Sequence, residues 1–245
     1  MSAAWPASVA GFAVESHGKV GSTQDLARAH ALRGRSDIVV VADAQTGGRG
    51  RLDRSWVSPP GNLYASAVVD VPVAPRLLPA CSLAVAVALA DAIAAFGPLV
   101  RVKWPNDLLL DGRKLAGILL EHHERRLLVG TGVNVATPPP GQPEAATLAR
   151  AGVRATAADV LTAYLPRLRF WLEAMHREGF EPVRQAWLER AAGLGRPLRV
   201  TLAHGILEGH HGGIDATGAL LVETAAGPVA VAVGDVELVR TKEAG

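Results

Sequence analysis

The sequence predicts an α/β chain of the α+β type, in which a mixed, mainly antiparallel sheet with packing helices is followed by a small C-terminal β-barrel. Three observations predict it. Capped helix signals alternate with short β-branched runs in the first half of the chain. Four apolar runs between Val100 and Val135 follow one another with only turn residues between them. After Gly193-Leu194-Gly195 the texture changes to short strands broken by glycines. The length of 245 residues fits one large and one small unit, which the change of texture divides into 1–193 and 194–245. With 49 % hydrophobic residues rich in Ala, Val and Leu and only 4 % aromatics, the chain can fill a sizeable core.

Ser22 offers an N-cap oxygen, Asp25 an acidic first turn and Gly34 a terminator, so the segment to Leu32 reads as a helix. The run from Asp37 to Ala42 reads as a buried strand that delivers the chain into a Gly/Arg loop from Gln45 to Arg54, and Leu63 to Val71 reads as another strand. The segment Ala80 to Phe96 is too short for a membrane span, carries Asp91, and reads as a buried helix. Val100 to Trp104, Leu108 to Leu110, Leu115 to Glu121 and Leu127 to Val135 suit an antiparallel meander, with Asp111-Gly112 as a tight hairpin turn. Ala157 to Arg177 is amphipathic, with Pro166 expected to kink or break it, and Val183 to Ala192 closes the helical part. From Leu198 to Arg240, about five short strands suit the barrel.

Bulk charge excludes some partners. A formal net charge of +2 is too small for whole-surface attraction to nucleic acid, so any cationic function is local. Cys81, the single cysteine, allows no internal disulfide and reads as a core residue; with no secretory signal at the N-terminus, a cytoplasmic setting is expected. No DNA-binding unit is expected before the helix at Ser22, and no membrane partner. His122-His123 and the group His204, His210 and His211 lack metal-ligand spacing, and neither a Walker loop nor a Rossmann glycine unit is present.

Three motifs carry chemistry. In Gly47-Gly48-Arg49-Gly50-Arg51-Leu52-Asp53-Arg54-Ser55-Trp56, glycines let the main chain approach an anion while guanidiniums offer forked, permanently charged donors. Such a loop is costly to order and is expected to close over bound ligand. In Lys103-Trp104-Pro105-Asn106-Asp107, an amide, a carboxylate and an ammonium emerge at a strand tip, suited to a base or sugar edge, a proton or hydrated Mg²⁺, and phosphate. In Lys114-Leu115-Ala116-Gly117-Ile118-Leu119, a lysine enters a strand beside small residues that leave room for a ligand. Gly130-Thr131-Gly132-Val133-Asn134 gives similar room.

In this order the motifs, Ser-Thr helix start, Gly-Arg-Gly-Arg, Lys-Trp-Pro-Asn-Asp and Lys-Leu-Ala-Gly-Ile, closely resemble the biotin protein ligase family over about Ser22 to Asn134. The last unit resembles that family's SH3-like C-terminal domain, through Gly213-Ile214-Asp215 and Gly218-Ala219-Leu220. The resemblance implies that biotin and ATP are converted to biotinyl-5′-AMP, and that the biotinyl group passes to a lysine of a biotin carboxyl carrier protein of acetyl-CoA carboxylase or a related carboxylase. It implies a biotin site of Ser22, Thr23, Gln24, Gln45, Gly48, Arg49, Gly50, Arg51, Lys114, Gly117, Leu119 and Gly132. It implies an ATP and adenylate site of Arg49, Arg51, Arg54, Trp56, Lys103, Asn106, Lys114 and Asn134, with Lys114, Arg49, Arg51 and Asp107 catalytic. Mg²⁺ would come with ATP, with Asp107 as its candidate ligand; a homodimer is left open. Two departures stand out: Gln24 where Asn is commoner, and Asp53 where glycine is. Two rival functions are a lipoate or octanoate ligase of the same fold and a non-catalytic RNA-binding protein with an Arg/Gly loop beside a barrel.

Overall fold

The computed structural model describes residues 4–70 and 77–239. Eight strands form one sheet in the order β1-β2-β3-β4-β8-β7-β6-β5. β1 (Ser8–Val9) and β2 (Phe12–Val20) lead into α1 (Thr23–Leu32), which crosses to β3 (Ile38–Gln45). β2 and β3 are the sheet's parallel pair, since a helix between them returns the chain in the same direction; the neighbours from β3 onward are antiparallel. β4 (Leu63–Asp70), α2 (Leu78–Ala94), β5 (Arg101–Lys103), β6 (Asp107–Leu110), β7 (Arg113–His123) and β8 (Arg126–Val133) follow, and the last four strands form the expected meander.

Strand alternation divides the sheet's faces. Val39 and Val41 of β3 pack into the large core with α2 and α3 (Ala157–Glu178), while Ile38 and Val40 pack with Ala27 and Ala31 of α1. Thus α1 covers one face and the longer helices the other. α3 opens with a reciprocal capping box between Thr156 and Asp159 and runs through Pro166 without a break. Of the expected kink or break at Pro166, the break is therefore corrected. Proline removes one helix hydrogen bond, and burial of Leu161, Tyr164, Leu165 and Leu168 on both sides of it offsets that loss. β1 and β2 were not foreseen: Phe12 to Val20 mixes apolar and polar residues without a clear strand alternation, and the parallel ladder to β3 makes it a strand.

α4 (Glu181–Arg190) leads to a second sheet of β9 (Pro197–Leu202), β10 (Gly205–Ile214), β11 (Leu220–Thr224), β12 (Gly227–Val231) and β13 (Asp235–Leu238), in the order β12-β11-β10-β9-β13. Five antiparallel strands were expected and five are present, but their ladder is open: β12 and β13 stand at opposite ends and are not paired among the described residues. This sheet shares the main apolar core, through Leu198, Val200, Ile214, Leu220 and Val222. Trp104 Nε1 also donates to the carbonyl of Gly218, at 3.1 Å. Val71, at the end of the strand expected from Leu63, lies outside the described residues, as does Arg240.

Candidate active site

The site lies on the α1 face of the sheet, beyond the N-terminus of that helix, where the covering helix ends and the strands beneath carry small residues. On β8 and β7, Gly130, Gly132 and Gly117 face this space, with Gly117 paired directly to Gly132. Trp56 from the Gly/Arg loop fills the slot so made. A Cβ on Gly132 would lie 2.5 Å from the indole Cε2, and one on Gly117 2.9 Å from Cζ3, so only glycine admits the ring.

At the inner end, Ser22 caps α1 by accepting from the backbone N–H of Gln24 at 3.2 Å. Gln45 at the end of β3 accepts from Thr23 N–H at 2.9 Å and from Thr23 Oγ1 at 3.1 Å, and Thr23 Oγ1 lies 2.9 Å from Ser66 Oγ. Gln24 is only 3 % exposed, and neither its Oε1 nor its Nε2 has a protein partner among the described residues. Trp56 Nε1 and Asn134 Oδ1 are likewise buried without partners among the described residues. Buried polar atoms are almost always hydrogen-bonded, so this concentration in one cavity marks a place where a polar ligand completes the bonding.

At the outer end, a β-bulge aims the lysine. Leu108 pairs with Ala116 but Leu109 with Lys114, so Leu115 is an extra residue that turns into the core and leaves Lys114 on the cavity side. Lys114 Nζ lies 2.7 Å from Asp107 Oδ1 and 5.4 Å from the Trp56 ring centroid, while Lys103 approaches the other Asp107 oxygen at 3.8 Å. Asn106 is pinned to the backbone of β7, donating from Nδ2 to the carbonyl of Ile118 at 2.7 Å.

The Gly/Arg loop is a hairpin, bridged Gln45 to Ser58 and Arg49 to Ser55, with one 3₁₀ turn at Arg51–Asp53. Its arginines reach three different elements. Arg49 grips both oxygens of Asp25 on α1, at 2.5 and 3.2 Å, and Asp25 also accepts from Arg28, which in turn holds Glu121 on β7. Arg51 reaches Asn106 Oδ1 at 3.4 Å, and Arg54 pairs with Asp235 of β13. The Asp25 carboxyl is held below its ordinary range chiefly by the Arg49 hydrogen bond. Burial pushes the Arg51 guanidinium down, against the opposing pull of the Asp235 and Asp107 carboxylates, yet an arginine so placed is still a cation at neutral pH.

Of the expected site residues, Ser22, Thr23, Gln24, Gln45, Arg49, Gly50, Arg51, Arg54, Trp56, Asn106, Asp107, Lys114, Gly117, Leu119, Gly132 and Asn134 all line this one cavity. Gly48 and Lys103 do not: Gly48 packs behind the loop against Trp56 O and Ser58 Oγ, and Lys103 backs Asp107. Sequence reasoning missed Tyr64, Ser66, Pro139, Gln142 and Asp235, which also line the cavity. Ser66 carried a weak signal as a small hydroxyl in a largely apolar strand. Asp235 carried none, since only folding brings it to Arg54, 181 positions away. Among the described residues, no group of three His, Cys, Asp or Glu is placed to hold a metal ion, and no helix is long and apolar enough to cross a membrane.

Residues 20–137 match the model of the biotin/lipoate A/B protein ligase family, and residues 193–239 that of the biotin protein ligase C-terminal domain. A biotin–[acetyl-CoA-carboxylase] ligase of Paracoccus denitrificans is 39 % identical over 208 residues, covering 77 % of this chain and 85 % of the relative. The chain belongs to the biotin protein ligase family. Another member, the bifunctional ligase/repressor BirA of Bacillus subtilis, is 34 % identical over 239 residues, covering 91 % of this chain and 73 % of BirA. The biotin protein ligase of Aquifex aeolicus, solved in complex with biotin and ATP, superposes with a TM-score of 0.82 at 28 % identity, covering 93 % of this chain and 99 % of that one. Fold and family thus agree with the resemblance carried by the sequence motifs.

Proposed function

We propose that this member of the family joins biotin to ATP, giving biotinyl-5′-AMP and pyrophosphate, and then transfers the biotinyl group to a lysine of a biotin carboxyl carrier protein or domain. One observation carries the reading: a cavity with the Gln24 amide, unpartnered among the described residues, at one end and Lys114 at the other, 2.7 Å from Asp107, beneath an arginine-bearing loop. Gln24, Gln45 and the Thr23 hydroxyl suit the ureido head of biotin, the glycines of β7 and β8 suit its apolar body, and the carboxylate then reaches Lys114.

Lys114, with Arg49 and Arg51, brings the biotin carboxylate and the α-phosphate together by lowering their mutual repulsion. A carboxylate oxygen attacks the α-phosphorus and pyrophosphate leaves. In the second step the carrier amine, having given up a proton for which Asp107 is the nearest carboxylate acceptor, attacks the acyl carbon and AMP leaves. Trp56, Arg54, Asn106 and Asn134 face the nucleotide in this reading. Lys103 and Gly48 take supporting roles, the one behind Asp107 and the other behind the loop. Mg²⁺, which keeps water and phosphate oxygens in its shell, suits the single carboxylate Asp107 offers; bound with ATP it offsets phosphate charge.

We also propose 1–193 as the catalytic unit and 194–245 as a small second domain that reaches the loop through Asp235, in a cytoplasmic setting. The test is ATP–pyrophosphate exchange with biotin, with lipoate or with neither. Exchange that requires biotin is expected; exchange with lipoate alone, or none, overturns the reading.

A further inference from the structure

We infer that Ser58, which lies outside the cavity lining, is a positioning residue that fixes which face Gln45 shows to the ligand and ties that choice to the loop. The inference rests on the biotin-ligase reading above. Ser58 is buried, 7 % exposed. Its Oγ donates to the carbonyl of Trp56 at 2.9 Å and lies 3.0 Å from Gln45 Nε2. A hydroxyl has one proton; once that proton goes to Trp56 O, Ser58 can only accept, and the atom of Gln45 facing it must be the amide nitrogen.

The other end of Gln45 gives the same polarity independently. A backbone N–H can only donate, so the Gln45 atom 2.9 Å from Thr23 N is the carbonyl oxygen. Thr23 Oγ1 also donates to that oxygen at 3.1 Å, which leaves it to accept from Ser66 Oγ at 2.9 Å. One directional relay therefore runs from Ser66 through Thr23, Gln45 and Ser58 to the main chain of the loop at Trp56. It leaves Gln45 one Nε2 hydrogen without a protein acceptor among the described residues, so Gln45 offers the cavity a donor, matched to a carbonyl oxygen such as that of a cyclic urea.

Gly48 supplies a further observation. A Cβ there would lie 2.5 Å from Trp56 O, 2.8 Å from Ser58 Oγ and 3.0 Å from Gln45 Nε2. The relay thus passes where only glycine fits, and Gly48 also accepts from Trp56 N–H at 2.9 Å. Without the Ser58 hydroxyl, Gln45 is free to flip its amide, while Trp56 keeps its backbone bond to Gly48 and its place against the glycines of β7 and β8.

The test is a double-mutant cycle of Ser58→Ala and Gln45→Ala in biotin-dependent ATP–pyrophosphate exchange, with a melting temperature for every variant. Ser58→Ala is expected to raise the KM for biotin about tenfold, the effect of one buried hydrogen bond, and to change the KM for ATP less than twofold. In a Gln45→Ala background it is expected to add little, because Gln45 is then no longer present to be positioned. If Ser58→Ala does not fold, Ser58→Cys, near in size but a poor acceptor, is expected to shift the biotin KM the same way. An unchanged biotin KM, or effects of Ser58 and Gln45 that simply multiply, overturns the role of Ser58 while wild-type exchange leaves the reaction standing. Absence of biotin-dependent exchange in the wild type overturns both.

Discussion

The inner end of the cavity and the loop above it are held by different physics. Inside, Thr23, Gln45, Ser58 and Ser66 are joined by short-range hydrogen bonds in a largely buried relay, and Trp56 is gripped by glycines that leave no slack. The loop is fastened by ion pairs with substantial exposure: the Arg49 and Asp25 side chains are 36 % and 47 % exposed, and those of Arg54 and Asp235 66 % and 34 %. Exposed pairs contribute at most about 1 kcal/mol each and weaken with salt, whereas buried hydrogen bonds keep their strength and geometry. The contrast suits a site that must hold one head group rigidly while its cover opens for ATP and for the carrier.

The largest effect is expected where chemistry and the floor meet. Lys114→Ala should lower the rate of adenylate formation by on the order of a hundred- to a thousandfold with little loss of stability, because the side chain is 43 % exposed and supports no core packing. A loss below tenfold in pyrophosphate exchange would remove Lys114 from the chemistry. Next comes Gly132→Ala, whose new methyl must displace the Trp56 indole; a rise of about tenfold in the KM for ATP and a shift in tryptophan emission are expected, equally at low and high salt. An unchanged emission spectrum would show that the slot is looser than the contrast requires.

The smallest effect should lie in the loop. Asp25→Asn removes the carboxylate that grips Arg49, and release of free adenylate should rise by roughly two- to fivefold at low ionic strength. That difference should vanish by about 0.5 M salt, where the Debye length is only a few ångströms. A salt-insensitive effect would place Asp25 with the floor rather than the cover.

Much of the site was legible because its chemistry is local. A loop that must approach an anion shows glycine and arginine together, and a lysine beside a hairpin turn shows its strand, so Arg49, Arg51, Lys114 and the glycines of β8 could be read in line. The N-cap at Ser22 is likewise fixed by residues within a few positions. At Asp53 the backbone closes the 3₁₀ turn at Arg51–Asp53.

By itself, then, the sequence determined the α+β character, most element positions, the family and the greater part of the cavity lining, because periodicity, capping and motif order are properties of neighbours along the chain. Only the tertiary structure decided the rest. It made a strand of the mixed segment Phe12 to Val20 by pairing it to β3, left the last sheet open, brought Asp235 to Arg54, and turned Ser58 and Ser66 into one relay with Gln45. Those outcomes depend on contacts between residues distant in sequence, whose geometry is set by the packing of helices on the sheet and leaves little local trace.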